Sequence, residues 1–248
     1  MRKEQLFREH QPDAITKRLQ QPAKSQNISD AVLGGIDGCV TTFAVVSGAL
    51  GAGFSASVAL VLGFANLIAD GFSMAVSNYE SVKAQQEFTE GVRRTEAEHV
   101  DNIPDGEREE IRQIFQTKGF TGEILEEIVR TVCRDRNLWI DTMMTEEHGI
   151  QKTKLNPTKS ALITFFAFLF IGVMPLIPYI STTLSLREQF VLSACIAAVM
   201  FFLIGTLKSF FLATPLFFSG MRTLLTGGAA ASLAYLTGYV LHEIYGIG

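Results

Sequence analysis

Two apolar runs, residues 28–52 and 55–79, fill the first part of the chain after a polar start, and only a turn marked by Gly51 and Gly53 separates them. As an α-helix each is long enough to cross about 30 Å of hydrocarbon. Three further runs, residues 159–180, 188–211 and 222–244, repeat the pattern near the other end. Their apolarity is continuous rather than confined to one stripe, which predicts helices surrounded by lipid. The expected fold is an all-α membrane protein with five transmembrane helices. Pro175 and Pro178 sit near the exit of the third run and are expected to kink or end it. Gly34, Gly35 and Gly38 in the first run, and the small residues 227–232 in the fifth, are suited to close helix contacts.

Between the second and third runs the pattern turns polar and helical. Residues 81–100 contain no proline and one glycine, Gly91, so the second helix is expected to continue out of the membrane. Pro104-Asp105-Gly106 is the predicted break. Helices are expected over 107–117, with Ile111, Ile114 and Phe115 at helical spacing, then over 121–133 and 136–148. The predicted organisation is a tail at 1–27 with a short amphipathic helix around 3–19, helices 1 and 2 at 28–80, a helical metal-binding insert at 81–156, and helices 3–5 at 157–248.

Charge decides orientation. Of the 21 Lys and Arg residues, six lie in the tail, twelve between spans two and three, and two (Lys208, Arg222) between spans four and five, while the opposite side holds only Arg187. Basic loops stay in the cytoplasm. The amino terminus and the insert are therefore expected to be cytoplasmic, and a tail without an organelle signal favours a bacterial inner membrane over a vacuolar one. The first run follows nearly thirty polar residues and lacks a cleavage site, so it reads as an anchor rather than a secretory signal. Cys39, Cys133 and Cys195 are odd in number and unpatterned, which supports neither a disulfide framework nor a zinc knuckle and leaves packing as their expected role. Nucleic acid is not expected as a partner, nor is any prosthetic group.

Chemistry enters with the acids. Asp37 and Asp70 fall inside the first two spans, where a carboxylate costs about 2.5 to 3.5 kcal/mol even on lenient scales. No Lys or Arg occurs from Ser25 through Ser81 to pair with them. Asn66, Asp70 and Met74 recur at one-turn intervals, and Thr41 follows Asp37 by one turn. A stripe of Asn66, Asp70 and Met74 facing Asp37 would hold a cation with oxygen and sulfur ligands. Over residues 80–150 there are seventeen carboxylates against nine Lys and Arg, much of which a solvated acidic face explains. Within that face Glu96 and His99 form Glu-x-x-His, the spacing by which helical bundles hold iron or manganese. Glu107 and Glu110 repeat the interval, and Met143, Met144 and Glu147 lie within one turn of a later helix. Carboxylate, imidazole and thioether together favour Fe(II), Mn(II), Co(II) or Zn(II) over Mg(II) or Ca(II).

These motifs, taken in order, resemble the vacuolar iron transporter family. The resemblance rests on Ile36-Asp37-Gly38 with Thr42-Phe43-Ala44, the segment from Gly63 through Asn66 and Asp70 to Met74, the acidic insert with Trp139 to Met144, and Pro175-Leu176-Ile177-Pro178-Tyr179. It implies a homodimer of five-helix subunits that exchanges cytoplasmic Fe(II) for protons across the bilayer. It further implies that Asp37 and Met74 line the path, and that Glu96, Glu107, Glu110, Met143, Met144 and Glu147 bind metal in the insert. Two positions depart from a plant member: His99 replaces a Glu and keeps a ligand, whereas Asn66 replaces a second-helix Glu and removes a proton carrier, so that either Asp70 one turn along takes over its role or the coupling differs. The expected function is a proton-coupled secondary transporter that exports Fe(II), with Mn(II) as a further substrate. The alternatives are a membrane-anchored di-iron oxidase, which would need a second Glu-x-x-His that the chain lacks, a metal-sensing protein, or an insert that serves only for docking.

Overall fold

The structure is a computed structural model that describes residues 2–20, 25–151, 156–212 and 215–246. Of the basic residues counted for orientation, Lys24, Lys152 and Lys154 lie outside it. Among the described residues every regular element is helical: α1 (Arg2–Glu9), α2 (Pro12–Gln20), α3 (Ser25–Gly51), α4 (Ala56–Asn102), α5 (Pro104–Thr117), α6 (Gly122–Arg134), α7 (Arg136–Glu146), α8 (Pro157–Gly172), α9 (Leu186–Leu212) and α10 (Leu216–Tyr245). Five of them are long and apolar enough to cross a membrane, the third being α8 with the short 3-10 helix Met174–Ile180 that follows it. Pro175 and Pro178 both lie in that tighter helix, as expected of residues that cannot donate to an α-helical ladder.

The chain divides into two compact units, Met1–Ala23 with Val82–Leu155, and Lys24–Ser81 with Asn156–Gly248. In the second unit the apolar helices meet through small residues. A side chain built on Gly38 would lie 2.5 Å from the Phe168 carbonyl oxygen of α8, and one on Gly51 would lie 2.2 Å from the Tyr235 carbonyl oxygen of α10. Such approach is possible only where no Cβ intervenes, which is how helices associate where lipid removes the hydrophobic drive. Gly227 of α10 similarly receives the Phe201 ring of α9. Buried Phe168, Leu176, Val46 and Leu67 fill one core, and Cys39, Phe43, Ala197 and Phe201 fill another. Large residues such as Phe72, Phe170, Leu225 and Leu233 face outward, as lipid-facing positions do.

In the first unit, Val100, Ile111, Leu125, Val129, Trp139, Ile140, Met143 and Met144 close one apolar core. Ion pairs between Arg93 and Asp141, Arg136 and Asp101, and Lys118 and Glu146 brace its helices. Asp135 caps α7 by accepting from the backbone N–H groups of Asn137 and Leu138.

Four expectations are corrected. The break after α4 falls at Ile103, and Pro104 opens α5 at its first position, where the missing N–H costs nothing. The tail forms two helices, α1 and α2, because Pro12 starts the second one. Lys208 and Arg222 lie inside α9 and α10, not in a loop between them. Cys195 is exposed, whereas Cys39 is buried. Gly38→Val should force α3 and α8 apart and cost about 1–3 kcal/mol or more, lowering the melting temperature of the detergent-solubilised protein. Gly91→Ala, at a helical site with nothing within 4 Å, should raise or leave it unchanged; equal effects would contradict the packing described.

Candidate metal sites

The last turns of α4, the first turn of α5 and the residues just past α7 converge on one acidic cluster. Glu96 sits on the inner face of α4 and is only 3% exposed, and Glu107 sits at the start of α5 at 4%. Glutamates are rarely so buried unless something satisfies them. Glu96 Oε1 hydrogen-bonds His148 Nε2 at 2.9 Å, and His99 Nδ1 lies 3.4 Å from Glu107 Oε1 and 3.9 Å from Glu96 Oε1. The second oxygens, Glu96 Oε2 and Glu107 Oε2, are buried with no hydrogen-bond partner among the described residues. An orphaned buried carboxylate oxygen is costly in an apo-protein and suits a cation ligand.

Two ligand sets share Glu96: Glu96, His99 and Glu107, and Glu96, Glu147 and His148, each with one donor atom per residue all within 4.8 Å of one another. Burial, helped by the charges of Glu110 and Glu96, pushes the Glu107 carboxyl up to about 7. Glu147 is raised as well, by burial first and then by Glu96, and His148 is raised by its hydrogen bond to Glu96. A group of acids that resist ionising together is neutralised by a divalent cation, whose binding expels their protons.

Of the residues expected here, Glu96, His99, Glu107 and Glu147 come together. Glu110 is exposed and reaches Glu107 and Glu147 through its charge. Met143 and Met144, at 0% and 5% exposure, pack in the apolar core of the unit. His148 follows Met144 by one turn but was not singled out, because the partner that gives it a role, Glu96, lies on another helix 52 positions away.

The second constellation lies among the apolar helices. Asp37 of α3 and Met74 of α4 line one cavity of about 440 Å³ with Ser29, Val32, Leu33, Ile36 and Lys208. Asp70, one turn before Met74, is close enough to Asp37 for their charges to interact. Asn66 is not among the cavity residues; its buried Nδ2 has no hydrogen-bond partner. Thr41 donates to the Asp37 carbonyl of its own helix at 2.9 Å.

Two turns before Asp37 the structure adds residues that the sequence pattern did not single out. Asp30, 2% exposed, accepts at Oδ1 from Asn78 Nδ2 at 3.0 Å and from Gln26 Nε2 at 3.1 Å. Asn78 also donates to Thr164 of α8 at 2.8 Å, and Asp30 Oδ2 has no hydrogen-bond partner. The signal was present: Asp30 precedes Asp37 by two turns and Asn78 follows Met74 by one, so both extend stripes already drawn.

The sequence profile of the VIT family matches residues 28–239, which covers the apolar helices and the acidic cluster alike. The chain belongs to the VIT family. Membership makes it an integral membrane transporter rather than an enzyme, and the oxidase alternative is set aside. The chain is similar to a Toxoplasma gondii protein named vacuolar iron transporter, with 32% identity over 231 residues that cover 90% of this chain and 76% of the relative. A Plasmodium falciparum protein of the same name shares 29% over 224 residues, 87% of this chain and 82% of its own. Vacuolar iron transporter 1 of Arabidopsis thaliana shares 26% over 217 residues, 87% and 86% of the two chains.

The raised groups set a pH dependence. A carboxyl whose folded value lies above its unfolded value holds its proton longer in the native state, so stability falls as pH rises through the interval between the two. For Glu107 that interval runs from 4.5 to about 7, and raised His148 and Glu147 act in the same direction. Trp139, the single tryptophan, is buried in this unit and reports its unfolding. The metal-free denaturation midpoint should fall from pH 5 to pH 7, and Glu107→Gln should flatten the slope; an unchanged slope would contradict the assignment.

Proposed function

We propose that the chain is a proton-coupled secondary transporter that exports Fe(II), with Mn(II) as a further substrate, from the cytoplasm. In this reading residues 81–156 form a cytoplasmic metal-binding domain and residues 28–80 with 157–248 form the transmembrane part of a homodimer. The observation that carries it is the cavity shared by Asp37 and Met74, with Asp70 within electrostatic reach. A carboxylate held in apolar surroundings demands a cation, and a thioether beside it selects among cations. Oxygen donors alone would suit Mg(II) or Ca(II), whereas sulfur and imidazole favour later, softer divalent ions. The names of the relatives point the same way, since each is called a vacuolar iron transporter.

Coupling to protons follows from the ligands. A carboxylate must lose its proton before it binds metal, so loading releases protons and unloading recovers them. Glu107, pushed up to about 7, is partly protonated at neutral pH and exchanges its proton for metal in the capture domain. Asp37 and Asp70 are placed to make the same exchange along the path, and a pH gradient then drives loading on one side and release on the other.

Purified protein in liposomes with an imposed pH gradient tests this through Fe(II) uptake. Asp37→Ala should lower the initial rate at least about tenfold, the loss expected when the charged ligand of a transported ion is removed, while Met74→Ala should weaken Fe(II) transport more than Mn(II) transport. Flux by Asp37→Ala at the parent rate would refute the pathway.

A further inference from the structure

The cavity that holds Asp37 and Met74 also holds Lys208, a basic residue contributed by α9. Counting charges along the first two spans leaves the acids without a basic neighbour, but the fold brings one to the same cavity from a later helix, α9. Lys208 is exposed, and it makes no ion pair among the described residues. Val32, Leu33 and Ile36 line the cavity with it, an apolar surface of the kind along which long basic side chains lay their stems. Lys208 thus lines the same cavity as Asp37, and no salt bridge joins the two among the described residues.

We infer that Lys208 is the release residue of the transport path: a tethered cation that balances the Asp37 and Asp70 charges when no metal is bound and repels a divalent cation once it has arrived. This inference rests on the transport reading above. Two carboxylates facing each other in an apolar setting have excess negative charge, and one ammonium halves it. When a divalent ion binds, the two carboxylates are already neutralised, and the ammonium becomes the surplus charge. Its repulsion acts on the bound ion twice as strongly as on a monovalent one, because the Coulomb energy scales with the product of the charges. A path conducts only if its sites bind firmly enough to load and loosely enough to unload. Asp37, Asp70 and Met74 supply the first requirement, and Lys208 supplies the second. Lys208 is a positioning group for charge and need not touch the metal.

The inference predicts a split between the kinetic constants. Removing the repulsion tightens the loaded state, so Lys208→Gln should lower KM for Fe(II) and also lower the maximal rate, because release becomes slower. The size expected for one fixed charge beside a divalent ion in a partly solvated cavity is on the order of three- to tenfold in each constant. Lys208→Arg keeps the charge and should restore both constants toward the parent values. Purified full-length protein in liposomes, assayed for Fe(II) uptake under one pH gradient, gives both constants. Equilibrium binding of Co(II) in detergent gives an independent readout when Glu96, Glu107 and Glu147 are all replaced by Gln to silence the other site. There Lys208→Gln should tighten binding by the same factor. If Lys208→Gln leaves KM unchanged or raises it, while the parent transports normally, the release role is overturned and the transport reading stands. A parent protein that moves no Fe(II) would overturn both.

Discussion

A carboxylate inside hydrocarbon has to be neutralised, and much of the second unit can be understood from how this chain meets that requirement. Asp37 of α3 and Asp70 of α4 lie within reach of each other's charge, and Asp30 is buried two turns from Asp37 with one oxygen unpaired among the described residues. Arg and Lys are missing from residues 25–81, which hold both acids, so no permanent salt bridge cancels the charge within that stretch. What the fold provides is adjustable: amide and hydroxyl donors from Gln26, Asn78 and Thr164 around Asp30, and the thioether of Met74 with Lys208 in the cavity that holds Asp37. Adjustable neutralisation fits a site whose ligand comes and goes. The close crossings of α3, which carries Asp30 and Asp37, with α8 and α10 are set by Gly38 and Gly51.

The same requirement recurs in the first unit. Glu96 and Glu107 are almost as inaccessible as the apolar residues around them, and each keeps an oxygen without a partner. Ion pairs such as Arg93–Asp141, Lys118–Glu146 and Arg136–Asp101 brace this unit, yet none of the Lys or Arg residues in them reaches the central acids. Arginine is spent on the periphery and histidine at the centre, where it serves as a ligand once its proton is gone. His148 and His99 approach Glu96 from different segments, so that one carboxylate is shared by two ligand sets.

Much of this was legible before any fold was known. The five spans declare themselves because lipid tolerates only continuous apolar helices, and Pro175 and Pro178 announce the change in the third because proline cannot continue an α-helical ladder. Asp37, Asp70 and Met74 stand out because acids and thioethers at one-turn spacing are unusual in such company. The misreadings share a cause. Lys208 and Arg222 count as loop charges when orientation is read from basic residues near the ends of the apolar runs, although the helices run through both. Pro104 was read as a turn because proline breaks helices, although it also begins them. His148 and the Asp30 network escaped because their partners come from other elements: His148 meets Glu96 from 52 positions away, and Asn78 reaches Asp30 across 48. Spacing along one helix reveals a stripe, and only the packing of helices reveals what faces it.

The account stands or falls on where a divalent ion resides among the membrane helices. Crystals of the protein soaked in Co(II) and measured at the cobalt absorption edge would locate it directly. The predicted result is an anomalous peak within ligand distance of the Asp37 carboxylate and the Met74 sulfur. Anomalous density confined to Glu96 and its neighbours at saturating Co(II), with nothing in the cavity beside Asp37, would contradict the central claim.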